Sequence, residues 1–415
     1  MLQKRLSIVW LLLPFWVMGQ TPIKTMFYNV LEFPSANPEN RELILRDILD
    51  EYQPDIFMVC ELENSAGANL ILNESLNYDE TLYTRAQFIP NQSGGADIQQ
   101  LIFFRDDLFS LETIEVITTD VRDINRYELK LKTTDADTDP VFLDIYVAHL
   151  KSSTGSSNEA ERLDMVEEFT QTLGDLDPNS YVLFAGDLNV YSAFEDAYEE
   201  LLDVTNEIVL VDPIDRPGAW NNNIDFQDVH TQSTRVSSGP FGAGAGGGLD
   251  DRFDFILMSE NMQTDPKMRY VENTYAAYGN NGNCFNENIN NSGCTGAYDQ
   301  SLRNLLYNMS DHLPVVMTLE TNKQFESFGG TDFEASQTAL KLKNTLVAET
   351  LTFSVAADVT YPMTVSIYNV LGQEVKIHTL RGEGSLNIDV SALANGVYYV
   401  KNSVSDATLK FIKTR

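Results

Sequence analysis

Up to residue 320, stretches whose apolar residues have the spacing of a strand alternate with stretches whose apolar residues have the spacing of a helix. Five apolar runs that end in or carry a polar side chain predict buried strands: 25–29, 54–61, 144–149, 181–187 and 252–259. Helical spacing is found at 39–52, 66–76 and 158–173. This mixture predicts an α+β fold in which two sheets pack together and helices cover their outer faces.

Beyond residue 340 the pattern has a period of two only. It recurs at 363–375, 386–401 and 408–413, and predicts a small all-β sandwich domain. Polar residues with a glycine pair separate this region from the rest of the chain. We therefore expect a leader, a main domain, a linker and a C-terminal domain, at 1–19, 20–322, 323–340 and 341–415.

The leader has the composition of a signal peptide. Lys4 and Arg5 precede an apolar stretch, 8–18, which is short for a membrane span and is interrupted by Pro14. We expect this segment to be removed, and the mature chain to be exported and to contain no transmembrane segment.

The formal charge of −33 on 415 residues restricts the partners. Tight, nonspecific binding of a polyanion depends on Lys and Arg side chains that neutralise phosphates. The composition therefore argues against a high-affinity nucleic-acid-binding protein. It remains compatible with an enzyme that contacts only a few phosphates.

The cysteines are consistent with export. Cys60 lies in a predicted buried strand, where it acts as a small apolar residue. Cys284 and Cys294 bracket an Asn-rich segment and are a candidate disulfide. No second Cys or His pair accompanies them, so a zinc site is not expected.

Polar side chains that suit metal-assisted phosphate chemistry stand at the predicted strand ends. They are Asn29, Glu61, His149, Asp187, Asn189, Asp254, Asp311 and His312. Carboxylates bind hard divalent cations, amides and imidazoles hold phosphate oxygens, and one acid can activate water. Each residue alone also has a structural interpretation, as a cap, a turn former or a buried imidazole.

In their order and context these eight residues resemble the motifs of the endonuclease/exonuclease/phosphatase superfamily, the deoxyribonuclease-like fold, over roughly residues 22–320. The resemblance implies a four-layer α/β/β/α sandwich and a metal-dependent phosphoric ester hydrolase. It implies that Glu61 is the principal metal ligand, assisted by Asn29 and Asp311. Mg²⁺ is the default ion, with Mn²⁺ or Ca²⁺ as substitutes.

The same resemblance implies catalytic roles for the other side chains. Asp187 orients or deprotonates the attacking water, and Asn189 holds that water or a phosphate oxygen. His312, oriented by Asp254, donates to the phosphoryl group, and His149 is a second donor on the phosphate side.

Further candidates have more than one interpretation. Asp97 is the candidate acid that orients His149. Arg126 opens a strand and either contacts a phosphate or forms a surface ion pair. In the long aperiodic segment 213–250, three side chains either contact the substrate at the rim of the site or pack the segment down: Trp220, His230 and Arg235.

The C-terminal domain carries Tyr-Asn-Val-Leu-Gly at 368–372 and Asn-Gly-Val-Tyr-Tyr-Val at 395–400. These motifs resemble the C-terminal sorting domain of type IX secretion. The resemblance implies a chain that is handled by the type IX machinery and is secreted or held at the cell surface. The alternative is a carbohydrate-binding or adhesive module.

Together these features predict a secreted, divalent-metal-dependent phosphodiesterase, specifically an endonuclease that hydrolyses extracellular nucleic acid by metal-assisted in-line attack of water. One alternative is a phosphatase or a phospholipid head-group phosphodiesterase on the same fold. The other is a non-catalytic, acidic surface-binding protein.

Overall fold

The computed structural model describes residues 20–78, 82–95, 97–239, 241–326, 340–342, 346–355, 362–370, 372–381, 386–403 and 408–414. The expected signal peptide, 1–19, and most of the expected linker lie outside these residues. The chain divides into two compact units, Met1–Glu326 and Ser327–Arg415, and the division falls within the expected linker. None of the helices in the described residues combines the length and the apolar character needed to cross a membrane.

The first unit contains both strands and helices. Its strands are β1 (Thr21–Phe33), β2 (Ile56–Leu62), β3 (Tyr83–Arg85), β4 (Gln99–Arg105), β5 (Phe109–Ile117), β6 (Ile124–Leu131), β7 (Phe142–His149), β8 (Tyr181–Asp187), β9 (Leu210–Val211), β10 (Asp254–Ser259), β11 (Arg269–Tyr270), β12 (Ala276–Ala277) and β13 (Val315–Thr321). Its α-helices are α1 (Arg41–Tyr52), α2 (Ser65–Leu70), α3 (Ser156–Thr172), α4 (Asp196–Leu201) and α5 (Gln300–Met309). A π-helical turn, Ile71–Leu76, continues α2. Short 3₁₀ turns lie at Leu173–Asp175, Ile224–Phe226 and Glu260–Gln263.

These strands form two mixed sheets. The first has the order β11-β13-β1-β2-β4-β3, with β12 also paired to β13, and the second has the order β5-β6-β7-β8-β10-β9. Strand β1 runs parallel to β2, and β7 runs parallel to β8. Each sheet therefore carries a parallel pair at its centre, flanked by antiparallel strands.

Alternation of side chains in the second sheet separates two apolar layers. Leu183 and Ala185 of β8 belong to the core between the sheets, whereas Val182 and Phe184 pack under α3 and α4. On the other side of the molecule, α1 and α5 contact one another and pack against the first sheet. The expected four-layer sandwich is confirmed.

The same alternation determines where the polar strand ends point. Asp187 follows Ala185 on the inter-sheet face of β8, and the register of the sheet pairs it with Asp254 of β10 and His149 of β7. In the first sheet, Asn29 is paired with Cys60, immediately before Glu61. Both sheets therefore deliver their polar residues to the same edge of the sandwich.

A disulfide between Cys284 and Cys294 closes the Asn-rich loop. This loop packs against a glycine-rich segment, since the amide of Asn286 donates to Leu249 O at 3.1 Å. Gly248 has φ 92°, and a Cβ there would lie 2.3 Å from the carbonyl carbon of Asn286, so only glycine fits this contact. The loop thereby holds the glycine-rich segment, which reaches the polar edge of the sandwich.

The second unit is all-β in the residues described. Its strands are β14 (Leu340–Leu342), β15 (Leu346–Val347), β16 (Thr350–Val355), β17 (Met363–Asn369), β18 (Glu374–Leu380), β19 (Leu386–Asp389), β20 (Gly396–Asn402) and β21 (Thr408–Lys413). They form two sheets, β14-β16-β19 and β15-β21-β20-β17-β18. Phe353, Ile367 and Phe411 are fully buried in a core of their own, which agrees with the expected small all-β domain.

Candidate active site

The strand-end residues converge around the carboxylate of Asp187. Its Oδ2 lies 3.5 Å from His149 Nε2 and 3.6 Å from His312 Nε2. Glu61 Oε1 lies 4.0 Å from the same nitrogen, His149 Nε2. Potential ligand atoms of Asp187 and Asp254 also lie within 4.8 Å of His312. Asp187 thus connects the two sheets at the polar edge.

Two amides fix the orientation of this carboxylate. Asn29 Nδ2 donates to Asp187 Oδ2 at 3.0 Å and to Glu61 Oε1 at 2.9 Å. Asn189 Nδ2 donates to Asp187 Oδ1 at 2.9 Å. The oxygen of Asn29 accepts the amide of Leu31, so Asn29 is arranged to position two carboxylates rather than to present a free oxygen to a metal.

The two histidines have opposite charge preferences. Burial opposes a charge on His312, but the carboxylates of Asp254, Asp187 and Asp311 outweigh it and raise the pKa of His312 well above its ordinary value. His312 Nδ1 lies 2.7 Å from Asp254 Oδ2, which fixes the ring. Burial, assisted by the charges of Arg122 and His312, holds the pKa of His149 well below its ordinary value. The site therefore pairs an imidazolium with a neutral imidazole.

Asp97 does not orient His149. The Asp97 side chain is exposed, and the buried Nδ1 of His149 has no hydrogen-bond partner among the described residues. Instead, Arg122 Nη1 donates to the backbone oxygens of His149 and Leu150, at 3.0 and 2.7 Å. The position of this histidine is thus fixed through its backbone.

Asp311 is held by the segment that the disulfide loop supports. The amide of Ala245 donates to Asp311 Oδ2 at 2.6 Å, and Gln232 Nε2 donates to the same oxygen at 3.2 Å. A Cβ on Gly244 would lie 2.9 Å from the carboxyl carbon of Asp311, so the segment approaches this acid closely. Asp311 Oδ1 is buried and has no hydrogen-bond partner in the part of the chain that the structure describes.

Two buried arginines support the backbone on either side of the site. Arg41 Nη1 donates to Val30 O and to Met309 O, both at 2.8 Å, and so ties the end of α5 to β1. Arg235 donates to the backbone oxygen of Tyr307 at 2.9 Å. The Arg41 contacts join the chain segment that carries Asn29 to the one that carries Asp311, and Arg235 ties the aperiodic segment to α5.

Local backbone conformation also serves the site. Glu61 has φ 59°, which is unfavourable for a residue with a long side chain and is typical of functional positions. Asn189 has φ 53°, a conformation that asparagine tolerates well. A Cβ on Gly186 would lie 2.4 Å from Ala148 O, so glycine lets β7 and β8 approach immediately before Asp187.

The acids of this cluster favour a divalent cation. Burial, followed by the charge of Asp311, raises the pKa of Glu61. Burial and the nearby acids Asp254 and Glu61 raise the pKa of Asp187 to about 7. Within the described part of the chain, one buried oxygen of Asp254 and one of Asp311 have no hydrogen-bond donor. A cluster of acids in which two carboxylates have raised pKa values and two others retain a free oxygen fits a hard cation such as Mg²⁺ or Mn²⁺.

The residues expected at the rim are engaged elsewhere. Arg126 forms ion pairs with Asp144 and Glu115, both at 2.7 Å, which supports its interpretation as an ion-pair partner. Trp220 is fully buried, and its ring packs against Tyr198 and Phe255. The aperiodic segment therefore carries apolar core residues as well as polar ones.

His230 and Arg235 are also structural. His230 is fully buried, and its Nε2 bonds to Trp220 O at 2.9 Å. The guanidinium of Arg235 lies 3.7 Å from the centre of the Phe241 ring and is buried. The alternative interpretation, in which these side chains pack the segment down, describes all three residues.

Gln232 and Arg122 belong to the site but did not stand out in the sequence. Gln232 lies in the aperiodic segment, where no period indicates which way a side chain points. Arg122 lies ahead of β6, and only its position next to a predicted strand could have drawn attention to it. Both residues contact the cluster through folding that brings distant segments together.

Comparisons with known proteins agree with this architecture. Residues 26–271 match the model of the Endonuclease/Exonuclease/phosphatase family, and residues 347–414 match the Secretion system C-terminal sorting domain. Comparison with curated proteins gives no match.

Several solved structures are similar to the chain. D. rerio TDP2 complexed with single strand DNA product is 16% identical, with a TM-score of 0.47 over 72% of this chain and 100% of that chain. The human Nocturnin catalytic domain with bound sulfate anion is 16% identical, with a TM-score of 0.42 over 72% and 94%. The endonuclease/exonuclease/phosphatase from Bacteroides vulgatus is 15% identical, with a TM-score of 0.45 over 72% and 99%.

Proposed function

The chain belongs to the endonuclease/exonuclease/phosphatase family, and on that premise we propose that it is an exported phosphodiesterase that hydrolyses nucleic acid with a divalent cation. Members of this family are metal-dependent phosphoric ester hydrolases. The observation that carries the proposal is the position of Asp187 between two histidines of opposite charge preference. That arrangement offers a base, a cationic donor and a neutral donor around one phosphoryl group.

Glu61 and Asp311 are the residues that would hold the cation, and Asn29 would keep Glu61 in position. Asp311 Oδ1 is buried and lacks a hydrogen-bond partner among the residues described, and Glu61 is partly exposed. A bound Mg²⁺ or Mn²⁺ would stabilise the negative charge that develops on the phosphoryl oxygens.

Asp187 is the proposed base. Its pKa of about 7 makes it a carboxylate with useful basicity near neutral pH. A water held by Asp187 and Asn189 attacks phosphorus, and its proton passes to the Asp187 carboxylate. The new phosphorus–oxygen bond forms while the bond to the leaving oxygen breaks, and that oxygen takes the electron pair and a proton from solvent.

The histidines stabilise the phosphoryl group during this step. His312 carries the positive charge that Asp254 favours, and donates to a phosphoryl oxygen through Nε2. His149 is neutral and donates through Nε2 to a second oxygen. Because both rings are held in place before substrate arrives, little reorganisation is needed in the transition state.

Nucleic acid is the proposed substrate because the C-terminal sorting domain indicates export by type IX secretion, and nucleic acid is a phosphodiester polymer available outside the cell. The strongly acidic chain is expected to grip only the few phosphates near the site. Turnover rather than tight binding is therefore the expected mode of action.

The test is hydrolysis by the purified protein with Mg²⁺, Mn²⁺ or Ca²⁺. Plasmid DNA and RNA should be degraded, and His312→Ala should lower the rate by about 10²-fold or more. His378→Ala, which changes a histidine of the second unit, is the matched control and should retain full activity. Hydrolysis of phosphomonoesters or phospholipid head groups, with no hydrolysis of nucleic acid, would show that the substrate is one of those esters instead. Inactivity on every phosphoester would contradict the proposed activity.

A further inference from the structure

The Gln232 side chain contacts both Asp311, a proposed metal ligand, and His312, a proposed phosphate donor. Its Nε2 lies 3.2 Å from Asp311 Oδ2 and 2.5 Å from His312 Nε2. His312 Nδ1 is already occupied by Asp254, so the Gln232 amide contacts the one ring nitrogen that is directed toward a substrate. In the free protein this amide stands where a phosphoryl oxygen would meet the ring.

The Gln232 backbone is anchored on both sides. Its amide donates to Asp251 O at 3.0 Å, and its oxygen accepts the amide of Asp251 at 2.8 Å. Gln232 is also bridged to His312 by backbone pairing. On either side of it, Leu313 N donates to Thr231 O at 2.7 Å and Thr234 N donates to Asp311 O at 2.9 Å. The side chain is therefore presented from a fixed main chain rather than from a slack loop.

Exposure distinguishes Gln232 from most of the cluster. Seven of the eight strand-end residues are buried, and only Glu61 is partly exposed. Gln232 is partly exposed too. An incoming phosphate therefore meets Glu61 and the Gln232 amide first.

We propose that Gln232 is a phosphate-positioning residue that donates to Asp311 in the free protein and, when substrate binds, donates its amide N–H to the phosphoryl oxygen that His312 also contacts. This inference rests on the proposed phosphodiesterase function. The amide already donates to Asp311 Oδ2, and a phosphoryl oxygen that reaches His312 Nε2 can accept from both the ring and the amide. No proton or covalent bond is transferred by Gln232.

An amide is chemically suited to this position. Its NH2 group carries two N–H donors, so it can donate to a carboxylate and to a phosphoryl oxygen at the same time. A glutamate of the same shape has only acceptors when ionised, and it would add a charge beside Asp311. A methionine of the same length has neither strong donor nor strong acceptor. These two substitutions therefore remove the donor without removing the bulk of the side chain.

The test compares Gln232→Met and Gln232→Glu with the unaltered protein on a dinucleotide diester and on its two phosphorothioate isomers, at saturating Mn²⁺. Loss of one donor to a developing oxyanion typically lowers kcat by about 10²-fold, and we expect that loss in both variants. Sulfur in place of the contacted oxygen should slow the unaltered protein more than it slows Gln232→Met, for one isomer only. Asn221→Leu is the matched control, because Asn221 donates to Asp251 Oδ1 at 2.7 Å and, among the described residues, no hydrogen bond joins its side chain to any of the eight.

Mn²⁺ affinity and thermal stability separate positioning from a purely structural role. The proposal expects Gln232→Met, which adds no charge beside Asp311, to bind Mn²⁺ with nearly the unaltered Kd. Retention of kcat within about threefold would overturn it. The proposal would also be overturned if kcat fell together with the Mn²⁺ affinity while each phosphorothioate isomer slowed the variant by the same factor as it slows the unaltered protein. An unaltered protein that hydrolyses no diester would instead contradict the proposed function, and this inference with it.

Discussion

At the scale of single residues, Asp187 explains how the site obtains a base and two different histidines. Its carboxylate is buried among other acids, which raises its pKa to about 7, and its negative charge favours the protonated form of His312. His149 lies as close to Asp187 as His312 does, but burial keeps it neutral. The difference between the rings follows from their neighbours, since the Asp254 carboxylate lies 2.7 Å from His312 Nδ1, whereas the charge of Arg122 opposes protonation of His149.

The same physics applies to His230, away from the site. Burial lowers its pKa, so the unfolded chain binds a proton more readily than the folded chain does. Its stabilising contribution is complete above the unfolded pKa of about 6.5 and is lost as the pH falls below it. We expect the melting temperature to fall between about pH 7.5 and about pH 5.5, and to fall less in His230→Gln, which keeps a donor for Trp220 O. Equal decreases in the two proteins, measured by calorimetry, would contradict this assignment.

The strand-end residues could be predicted because an apolar run predicts both a strand and the position of its end. Asp187, Asp254 and His149 then share a face through the period of two. Trp220, His230 and Arg235 stand in an aperiodic segment, where composition is equally compatible with burial and exposure. Gln232 stands among them, and only tertiary contacts distinguish it from its neighbours.

At the scale of elements, the disulfide loop supports the segment that contacts Asp311. The loop holds Gly248 and Leu249, and the same segment presents Ala245 N to Asp311. Removing the cross-link should therefore affect both stability and the position of this acid.

We expect Cys284→Ser with Cys294→Ser to lower the free energy of unfolding by about 3 kcal/mol, the chain-entropy value for so short a loop. The Kd for Mn²⁺ should rise as well, because Asp311 loses part of its support. Urea unfolding and Mn²⁺ titration measure the two effects. Cys60→Ala is the control for loss of a cysteine away from the loop, since Cys60 is a free, buried residue of β2. An unchanged Mn²⁺ Kd in the double variant would show that the loop does not position Asp311.

Helix positions were predicted better than helix ends. The expected helix at 39–52 is α1, and the helix expected from 66 is α2 with its π-helical turn. Helix α3 begins at Ser156, ahead of the expected start at 158, and its N-cap is Gly155, which has no side chain to cap the helix. Asn158 instead donates to Thr154 O at 2.8 Å, a contact that the apolar period does not indicate.

At the scale of the whole molecule, both resemblances drawn from motifs are confirmed by the family matches. The eight ordered residues indicated the fold because they combine positions from both sheets. The two motifs at 368–372 and 395–400 indicated the sorting domain. The identity of the cation and of the natural substrate depends on geometry that motifs do not encode.

The division into two compact units makes a further prediction. A chain ending at Glu326 should keep the kcat/KM of the full-length protein, because the residues of the site all lie in the first unit. Its secretion by cells that possess the type IX machinery should be lost, because it lacks the sorting domain. Kinetics and immunoblots of cell and medium fractions measure these effects. A large loss of kcat/KM in a folded truncated protein would contradict the independence of the first unit.

The central claim is that one cation and one phosphoryl group meet at the cluster around Asp187. Anomalous diffraction from crystals grown with Mn²⁺ and a nonhydrolysable diester tests it most directly. The account predicts an anomalous peak in contact with Glu61, and a phosphoryl oxygen within hydrogen-bonding distance of His312 Nε2. Mn²⁺ bound only at other sites, at a concentration that saturates activity, would contradict it.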